Sequence, residues 1–476
     1  MHYPALFTDF YELTMMAGYF DHSMHRESAV FDLYFRTAPF EGNLAVFAGL
    51  EPALRFLENL SFSREELDYL AGLNTFKPEF IEYLAEFRFR GRVTSFLEGS
   101  VVFPGEPLVS VEGNLLEAQL VETALLNLIN FQTLVATKAA RLTYAARDAT
   151  VIEFGLRRAQ GPDGGLSVAR AACIGGVRST SNVWGAREFG IPPSGTQAHS
   201  WVMSFPDELS AFRAYARTFP DKCVLLVDTY DTLESGISNA LVVARELRAQ
   251  GNELIGVRID SGDLAYLSAE ARRIFDAAGF PDVKIVASNE LDEHLIQTVI
   301  EDGGKVDVYG VGTRLATCAG AGGGALGGVY KLVRSGGRPR IKVTNDPAKT
   351  PLPDRKRVVR VRDENGTFLM DVMCLEGEAL KSGDRVYDPR NTVRNTTVPE
   401  GAVIETVRSV VMDKGRIICD LPDLAALNAR CREQLGHLPR GSLRLVNPHR
   451  YKVSISEGML TLRTRMIREI GYHAAG

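Results

Sequence analysis

The chain of 476 residues has only six cysteines, and none of them (Cys173, Cys223, Cys318, Cys374, Cys419, Cys431) stands in a C-x-x-C pair. That scatter offers neither a zinc knuckle nor a disulfide framework, and it suits a reducing compartment. The opening Met1-His2-Tyr3-Pro4 lacks a basic stretch followed by an apolar one, so no secretory leader is expected. Apolar runs are short of the roughly 18 residues that a membrane span needs. A large excess of either charge is missing as well. The net charge of -5 argues against nucleic acid or an anionic membrane as a partner, while leaving room for local basic patches. No internal repeat of fixed period is evident. These absences together point to a cytoplasmic protein. What remains is ordinary globular composition, 45% hydrophobic and 24% charged. At roughly 150 residues per domain, two to three domains are expected.

Residues 1–130 mix helix and strand signals. Val93–Phe96 and Leu108–Val111 are β-rich runs divided by the Pro104-Gly105 turn signal, and Leu115–Leu128 is apolar at helical spacing. From about residue 136 short β-rich runs alternate with helical segments. The runs are Val151–Phe154, Val224–Asp228, Leu254–Asp260, Lys284–Ser288 and Val306–Gly310, and Thr232–Gln250 is a helical candidate between two of them. Such alternation implies right-handed βαβ units and a parallel sheet, with continuous apolar strands buried on both faces. Periodicity does not separate a barrel from a doubly wound open sheet. In either, strand ends carry the chemistry, and here several end in polar groups: Asp228, Asp260, Ser288 and Asn289. The glycine-dense Cys318–Gly328 and the basic Arg334–Arg360 read as surface loops. The expected domains are an N-terminal mixed α/β domain over 1–130, an α/β catalytic domain over 131–335, and a C-terminal segment over 336–476 that packs on both.

Five segments could bear chemistry. VDVYGVGTR at 306–314 runs a strand into Gly310, Gly312 and Thr313, where backbone N–H groups can approach phosphate oxygens; a tight strand-to-helix turn explains it equally well. In LIGVRIDSGDL at 254–264, Arg258 and Asp260 share one strand face. An arginine there can hold a carboxylate, and the aspartates can hold ribose hydroxyls or hydrated Mg²⁺. The competing reading is an ion pair with Asp263 as a helix cap. EFGLRRAQGPDGG at 153–165 is either an anion site beneath a rigid loop or a solvated arginine pair. His199 in PSGTQAHS follows a small-residue turn; a lone histidine is more often structural. In Asp9-Phe10-Tyr11-Glu12-Leu13, Asp9 would cap a helix, and an exposed Tyr11 could stack on a flat ring.

In order along the chain, TDFYELTM at 8–15, EFGLRRAQGPDGG at 153–165, GTQAHS at 195–200, VDTYDT at 227–232, VRIDSGDL at 257–264, GVGTRL at 310–315, GGVYKLV at 327–333 and NPHRY at 447–451 resemble the nicotinate phosphoribosyltransferase family. The resemblance implies an irregular parallel α/β barrel with a flanking mixed α/β domain, in a homodimer whose N-terminal tyrosine reaches the neighbouring site. It implies that Tyr11 and Phe154 sandwich the pyridine ring, and that Ser181, Thr196 and Arg258 line the nicotinate site, with Arg258 on the carboxylate. His199 is then the histidine phosphorylated by ATP. Asp260 is catalytic, and Arg157, Asp263, Ser288, Asn289, Gly310, Gly312 and Thr313 hold 5-phosphoribosyl 1-pyrophosphate. Mg²⁺ is expected with the phosphates, its protein ligands unspecified. The stretch IKVTNDPAKTPLPDRKR departs from the pattern, and no residue is carried over from it.

The related nicotinamide enzymes share several of these motifs but carry an acid where this chain has Ser181. An amide –NH₂ wants an acceptor there, whereas a carboxylate substrate would be repelled by one. The run from 179 to Arg187 is free of acids, which favours nicotinate. A phosphate-binding aldolase or isomerase would need a lysine or an acid–base pair at a strand end, and Lys284 opens its strand instead. A metabolite-binding protein without turnover would show eroded motifs, and these stand intact.

Overall fold

The structure, a computed structural model, describes residues 3–343 and 350–473. The chain forms two compact units. One joins 1–134 to 325–476, and the other is 135–324. The 131–335 expectation thus meets a unit that closes at 324, and the strand Gly328–Ser335 belongs with the N-terminal residues. The stretch expected as loops between Arg334 and Arg360 also contributes Arg338–Pro339 and the start of Lys356–Arg362. Residues 344–349 of it lie outside the described residues.

The first unit carries two large sheets and a two-stranded one that pairs Ala45–Val46 with Val101–Val102. Seven strands order as Arg338–Pro339, Gly328–Ser335, Ser28–Phe35, Val109–Asn114, Arg92–Ser95, Ser409–Asp413 and Arg416–Ile417, all antiparallel. Six more form a mixed sheet whose central strands, Lys452–Ile455 and Phe368–Leu375, pair in parallel, with Lys356–Arg362 antiparallel beside the second. The main core fills in behind the first sheet. Phe31, Phe35, Val109 and Val111 pack there with the apolar sides of Leu50–Asn59 and Leu115–Leu120. Between core clusters lie buried charges. Arg360 donates to Asp371 through Nε at 2.9 Å and Nη2 at 2.7 Å, and Tyr451 OH donates to the same carboxylate at 2.8 Å. A buried pair of this kind tolerates loss of neither partner, because the survivor would be an uncompensated charge.

In the second unit the strand–helix alternation becomes a six-stranded, wholly parallel sheet. Its order is Ser179–Thr180, Thr150–Glu153, Val308–Val311, Lys284–Asn289, Gly256–Ile259 and Val224–Leu226. Strand pairing leaves Ser179–Thr180 and Val224–Leu226 as its two ends, so the ladder among the described residues is not a closed ring. The strands are apolar for the reason the sequence suggested: four successive residues of Lys284–Asn289, Ile285 to Ser288, are all buried. The helix expected over 232–250 begins as a wide turn, Thr232–Ile237, capped by Asp231 and continued by Ser238–Ala249. Gly236 explains the widening. A Cβ there would lie 1.9 Å from the Val227 carbonyl oxygen, so only glycine lets the turn sit this close to the strand end.

Two further devices fix the helices of this unit. Asp292 caps Glu293–Glu301 by accepting from the N–H groups of His294 and Leu295 at 3.0 and 2.9 Å. Beside it the buried Glu293 carboxylate meets Lys138 at 2.5 Å and Arg141 at 2.8 Å, both from Glu122–Ala146. Leu115–Ala146 is long and apolar enough to cross a membrane by length and composition, contrary to the short runs read from the sequence; it is mostly buried within the protein, as a core helix is.

Candidate active site

Register builds the site. Ala287 stands opposite Ile259, and Ser288 opposite Gly310, so the residues just beyond these pairs converge at one edge of the sheet. Ser288, 4% exposed, consequently donates its hydroxyl hydrogen bond to Asp260 Oδ1. Asp260 N in turn donates to Asp228 Oδ2 at 2.9 Å, and the Ser261 hydroxyl to the same oxygen at 2.6 Å. The other Asp228 oxygen lies 3.1 Å from His199 Nε2. The Asp228 side chain is 1% exposed and that of His199 39%, so a buried carboxylate aims a ring that a ligand can reach. With Nε2 facing Asp228, Nδ1 is the ring nitrogen left to meet a ligand.

Arg258 leaves the same edge one strand over. Its Nη1 donates to Thr196 Oγ1 at 2.6 Å, while its Nε has no partner. Burial holds the guanidinium below its usual pKa; Asp260 and Asp228 oppose that shift and Arg157 adds to it. An arginine with an unmatched donor in a partly buried site is suited to a planar carboxylate. Buried Gln197, between Thr196 and His199 in sequence, has neither amide atom hydrogen-bonded.

Phe154 follows Thr150–Glu153, and its ring lies against Gly310: a Cβ at Gly310 would come 2.5 Å from the ring edge. Gly312 faces the Phe154 carbonyl in the same way, at 3.1 Å. Gly310 thus makes room for an aromatic ring and Gly312 for the backbone beside it, uses that the sequence reading did not assign to them. Thr313 opens the short helix Thr313–Ala316 and donates to Glu290 Oε1 at 2.9 Å. Asn289 sits at φ 120, left-handed backbone that a non-glycine residue adopts only under constraint. Asp263 does cap Leu264–Ala277, accepting from Tyr266 N at 3.0 Å, so one of its oxygens serves the helix. Arg157, on the turn Leu156–Arg158, is exposed.

Ser181 comes next to a buried acid that the local sequence hid. Its N–H donates to the Glu153 carbonyl at 2.8 Å, while the Glu153 carboxylate accepts from the Thr180 hydroxyl and from Gly155 N. Both carboxylate oxygens are engaged, so Glu153 is a support beneath the site and offers no free acceptor to an amide. Burial raises its pKa, with the two hydrogen bonds opposing. A carboxyl whose folded pKa is raised loses stability for the fold as pH climbs from the ordinary value, about 4.3, through the raised one. Glu153→Gln keeps an acceptor and removes the ionisation. Its melting temperature relative to the parent is expected to be more favourable at pH 7 than at pH 4, and an equal difference at both would refute this.

Tyr11 belongs to the first unit, half exposed on Phe10–Asp21. Burial, a hydrogen bond with Glu12 and the nearby Glu122 carboxylate push its phenol above the usual pKa. Asp9 does not cap that helix with its side chain; it accepts from the Thr123 hydroxyl at 2.8 Å. Asp228 and Glu153 are the two residues sequence reasoning left out of the site. Asp228 was visible as a polar strand end, but nothing in its surroundings along the chain pointed to His199. Among the described residues, no group of three or more His, Cys, Asp or Glu side chains is arranged to hold a metal.

Converging carboxylates, an arginine, a carboxylate-oriented histidine and glycine-backed turns at one edge of a parallel sheet define an α/β enzyme built for an anionic substrate. Three family models match: the nicotinate phosphoribosyltransferase N-terminal domain over 6–130, the nicotinate phosphoribosyltransferase family over 149–366, and the C-terminal domain of the same enzymes over 355–463. The chain is 41% identical to nicotinate phosphoribosyltransferase of Bacillus subtilis, over 98% of this chain and 96% of that protein. It also superposes on the crystal structure of human nicotinic acid phosphoribosyltransferase with a TM-score of 0.85, at 34% identity and covering 96% of this chain and 99% of that one. Nicotinate-nucleotide pyrophosphorylase from Pyrococcus furiosus shares the fold, with a TM-score of 0.70 at 23% identity over 90% and 94% of the two chains. The protein belongs to the nicotinate phosphoribosyltransferase family.

Proposed function

We propose that this chain forms nicotinate mononucleotide and pyrophosphate from nicotinate and 5-phosphoribosyl 1-pyrophosphate, with coupled ATP hydrolysis, as a cytoplasmic homodimer. The observation that carries the substrate is the Arg258 guanidinium, bound to Thr196 with a donor to spare, in an edge where the nearby acid Glu153 is fully engaged. Relatives bearing the nicotinate name across nearly the full chain support the same choice over nicotinamide.

In this reading the pyridine ring lies on Phe154, with its carboxylate on Arg258 and Thr196 and with Tyr11 of a second copy on the other face. The ring nitrogen attacks the anomeric carbon of the ribose. The bond from that carbon to the pyrophosphate oxygen breaks, and the leaving group keeps the electron pair. Positioning of the two reactants supplies much of the rate. Asp260 holds a ribose hydroxyl or faces the developing oxocarbenium charge, and Arg157 balances the phosphates. Mg²⁺ carried on the phosphates would neutralise part of their charge, and Asp260 and Asp263 are the carboxylates at hand; two carboxylates plus phosphate oxygens suit that ion better than a protein cage. Nδ1 of His199 accepts the γ-phosphoryl group of ATP, releasing ADP, and water later cleaves the phosphohistidine. The new dianion at the site edge changes substrate affinity, which couples the two reactions. We read the parallel sheet as an irregular barrel whose seam lies between Ser179–Thr180 and Val224–Leu226.

Product formation with nicotinate, nicotinamide and quinolinate, each with and without ATP, tests the assignment. Mononucleotide is expected from nicotinate, faster with ATP. Product from nicotinamide alone would overturn it.

A further inference from the structure

The first unit holds a cleft of about 640 Å³ that the proposed reaction leaves unused. Five cations line it, Arg36, Arg390, Arg394, Arg450 and Lys452, against the single carboxylate of Asp388. Five positive charges less one negative give +4, in a chain whose net charge is -5. Asp388 is occupied in its own loop, where Oδ1 accepts from Arg390 N at 2.8 Å. None of the five cations forms an ion pair with a carboxylate among the described residues.

The loop that carries two of these cations is fixed. Asp388 N donates to the Arg394 carbonyl at 3.0 Å and Arg394 N to the Asn391 carbonyl at 2.9 Å. Arg463 Nη1 donates to the Pro389 carbonyl at 2.6 Å, and Arg390 Nη2 to the Arg36 carbonyl at 3.2 Å. Unpaired cations held close together repel one another, and this arrangement is favourable only with an anion between them.

A second, independent feature lies in the wall of the same cleft. Asn43 is 9% exposed; its Oδ1 accepts from Tyr451 N at 2.9 Å, but its Nδ2 has no partner. A buried donor left unmade costs about 1–3 kcal/mol, so it asks for an acceptor from outside the chain. Tyr451 cannot drift to relieve it, because its ring stacks on Phe103 at 3.8 Å and its hydroxyl is tied to Asp371. The NPHRY stretch, which had no role in the catalytic reading, supplies both Arg450 and Tyr451.

We propose that this cleft binds the phosphate groups of a small phosphorylated molecule. Several arginine forks and an amide donor around one space match the many acceptor oxygens of a diphosphate better than the two of a carboxylate. The site lies wholly within the first unit, and it stands whether or not the proposed reaction is right.

Calorimetric titration of the full-length protein with inorganic pyrophosphate, with ATP, and with citrate tests the proposal in the parent, in Arg394→Ala/Arg450→Ala and in Asn43→Asp. The double variant is expected to bind one equivalent of pyrophosphate fewer than the parent. Asn43→Asp keeps the acceptor for Tyr451 N and puts a negative charge among the cations. It should therefore melt higher without ligand and weaken that equivalent at least tenfold. ATP competing for the same equivalent supports recognition through phosphates alone. Unchanged stoichiometry in both variants, or citrate binding as tightly as pyrophosphate, would overturn the proposal.

Discussion

Replacing His199 by alanine is expected to abolish ATP consumption and the stimulation of product formation by ATP, while slow phosphoribosyl transfer persists. The effect follows from the geometry around Asp228. The carboxylate is buried, takes hydrogen bonds from Asp260 N and Ser261, and still commits its second oxygen to His199 Nε2. That leaves Nδ1 as the one nucleophile of the pair, and removing it should lower ATP hydrolysis by about a hundredfold or more. Residual transfer is expected because Arg258, Thr196, Phe154 and the glycine turns are untouched. Asp228→Asn should give an intermediate loss, since the ring remains but its orientation and charge balance do not. Incubation with γ-labelled ATP gives a direct readout: acid-labile label on the parent and none on His199→Ala. Unchanged ATP consumption by the alanine variant would refute the role.

The second large effect is expected at Arg258. Removing one partner of a partly buried, hydrogen-bonded charge pair costs roughly 2–5 kcal/mol, about 30-fold to several thousandfold in affinity. Arg258→Gln keeps much of the side-chain volume and a donor for Thr196 Oγ1. The KM for nicotinate should rise by at least about thirtyfold, with the KM for 5-phosphoribosyl 1-pyrophosphate much less affected. Discrimination against nicotinamide should shrink at the same time, because a neutral amide loses nothing when the positive charge goes. A nicotinate KM within a factor of two of the parent, with the fold intact by melting temperature, would sink the assignment.

How much of this could be read along the chain differs from residue to residue. The strands of the parallel sheet were legible because burial on both faces leaves an unbroken apolar run, as in Ile285-Val286-Ala287. Gly310 and Gly312 were legible as a turn, but the use of Gly310 as space for the Phe154 ring was not. That use depends on which strand lies next to which, and the pairing of Val308–Val311 with Thr150–Glu153 joins residues far apart in sequence. Asp263 was legible in both of its readings, and the helix-cap reading is the one that the geometry displays. The strand Gly328–Ser335 was expected with the catalytic unit, but its partner is Ser28–Phe35, about 300 positions earlier, and no local pattern records such a partner.

The sequence by itself determined the alternation of short apolar strands with helices, and it placed polar and glycine residues at the strand ends. These follow from local rules: burial sets periodicity, and backbone conformation sets where glycine, proline and aspartate can stand. Only the tertiary structure decided which polar groups are left free. Asp228 aims His199 across 29 positions of sequence, Thr196 meets Arg258 across 62, and Glu153 is spent on Thr180 and Gly155. Whether a carboxylate is a support, a positioning group or a site residue depends on which hydrogen bonds already hold it. Strand order and register set those bonds, and neither is written in any single stretch of the chain.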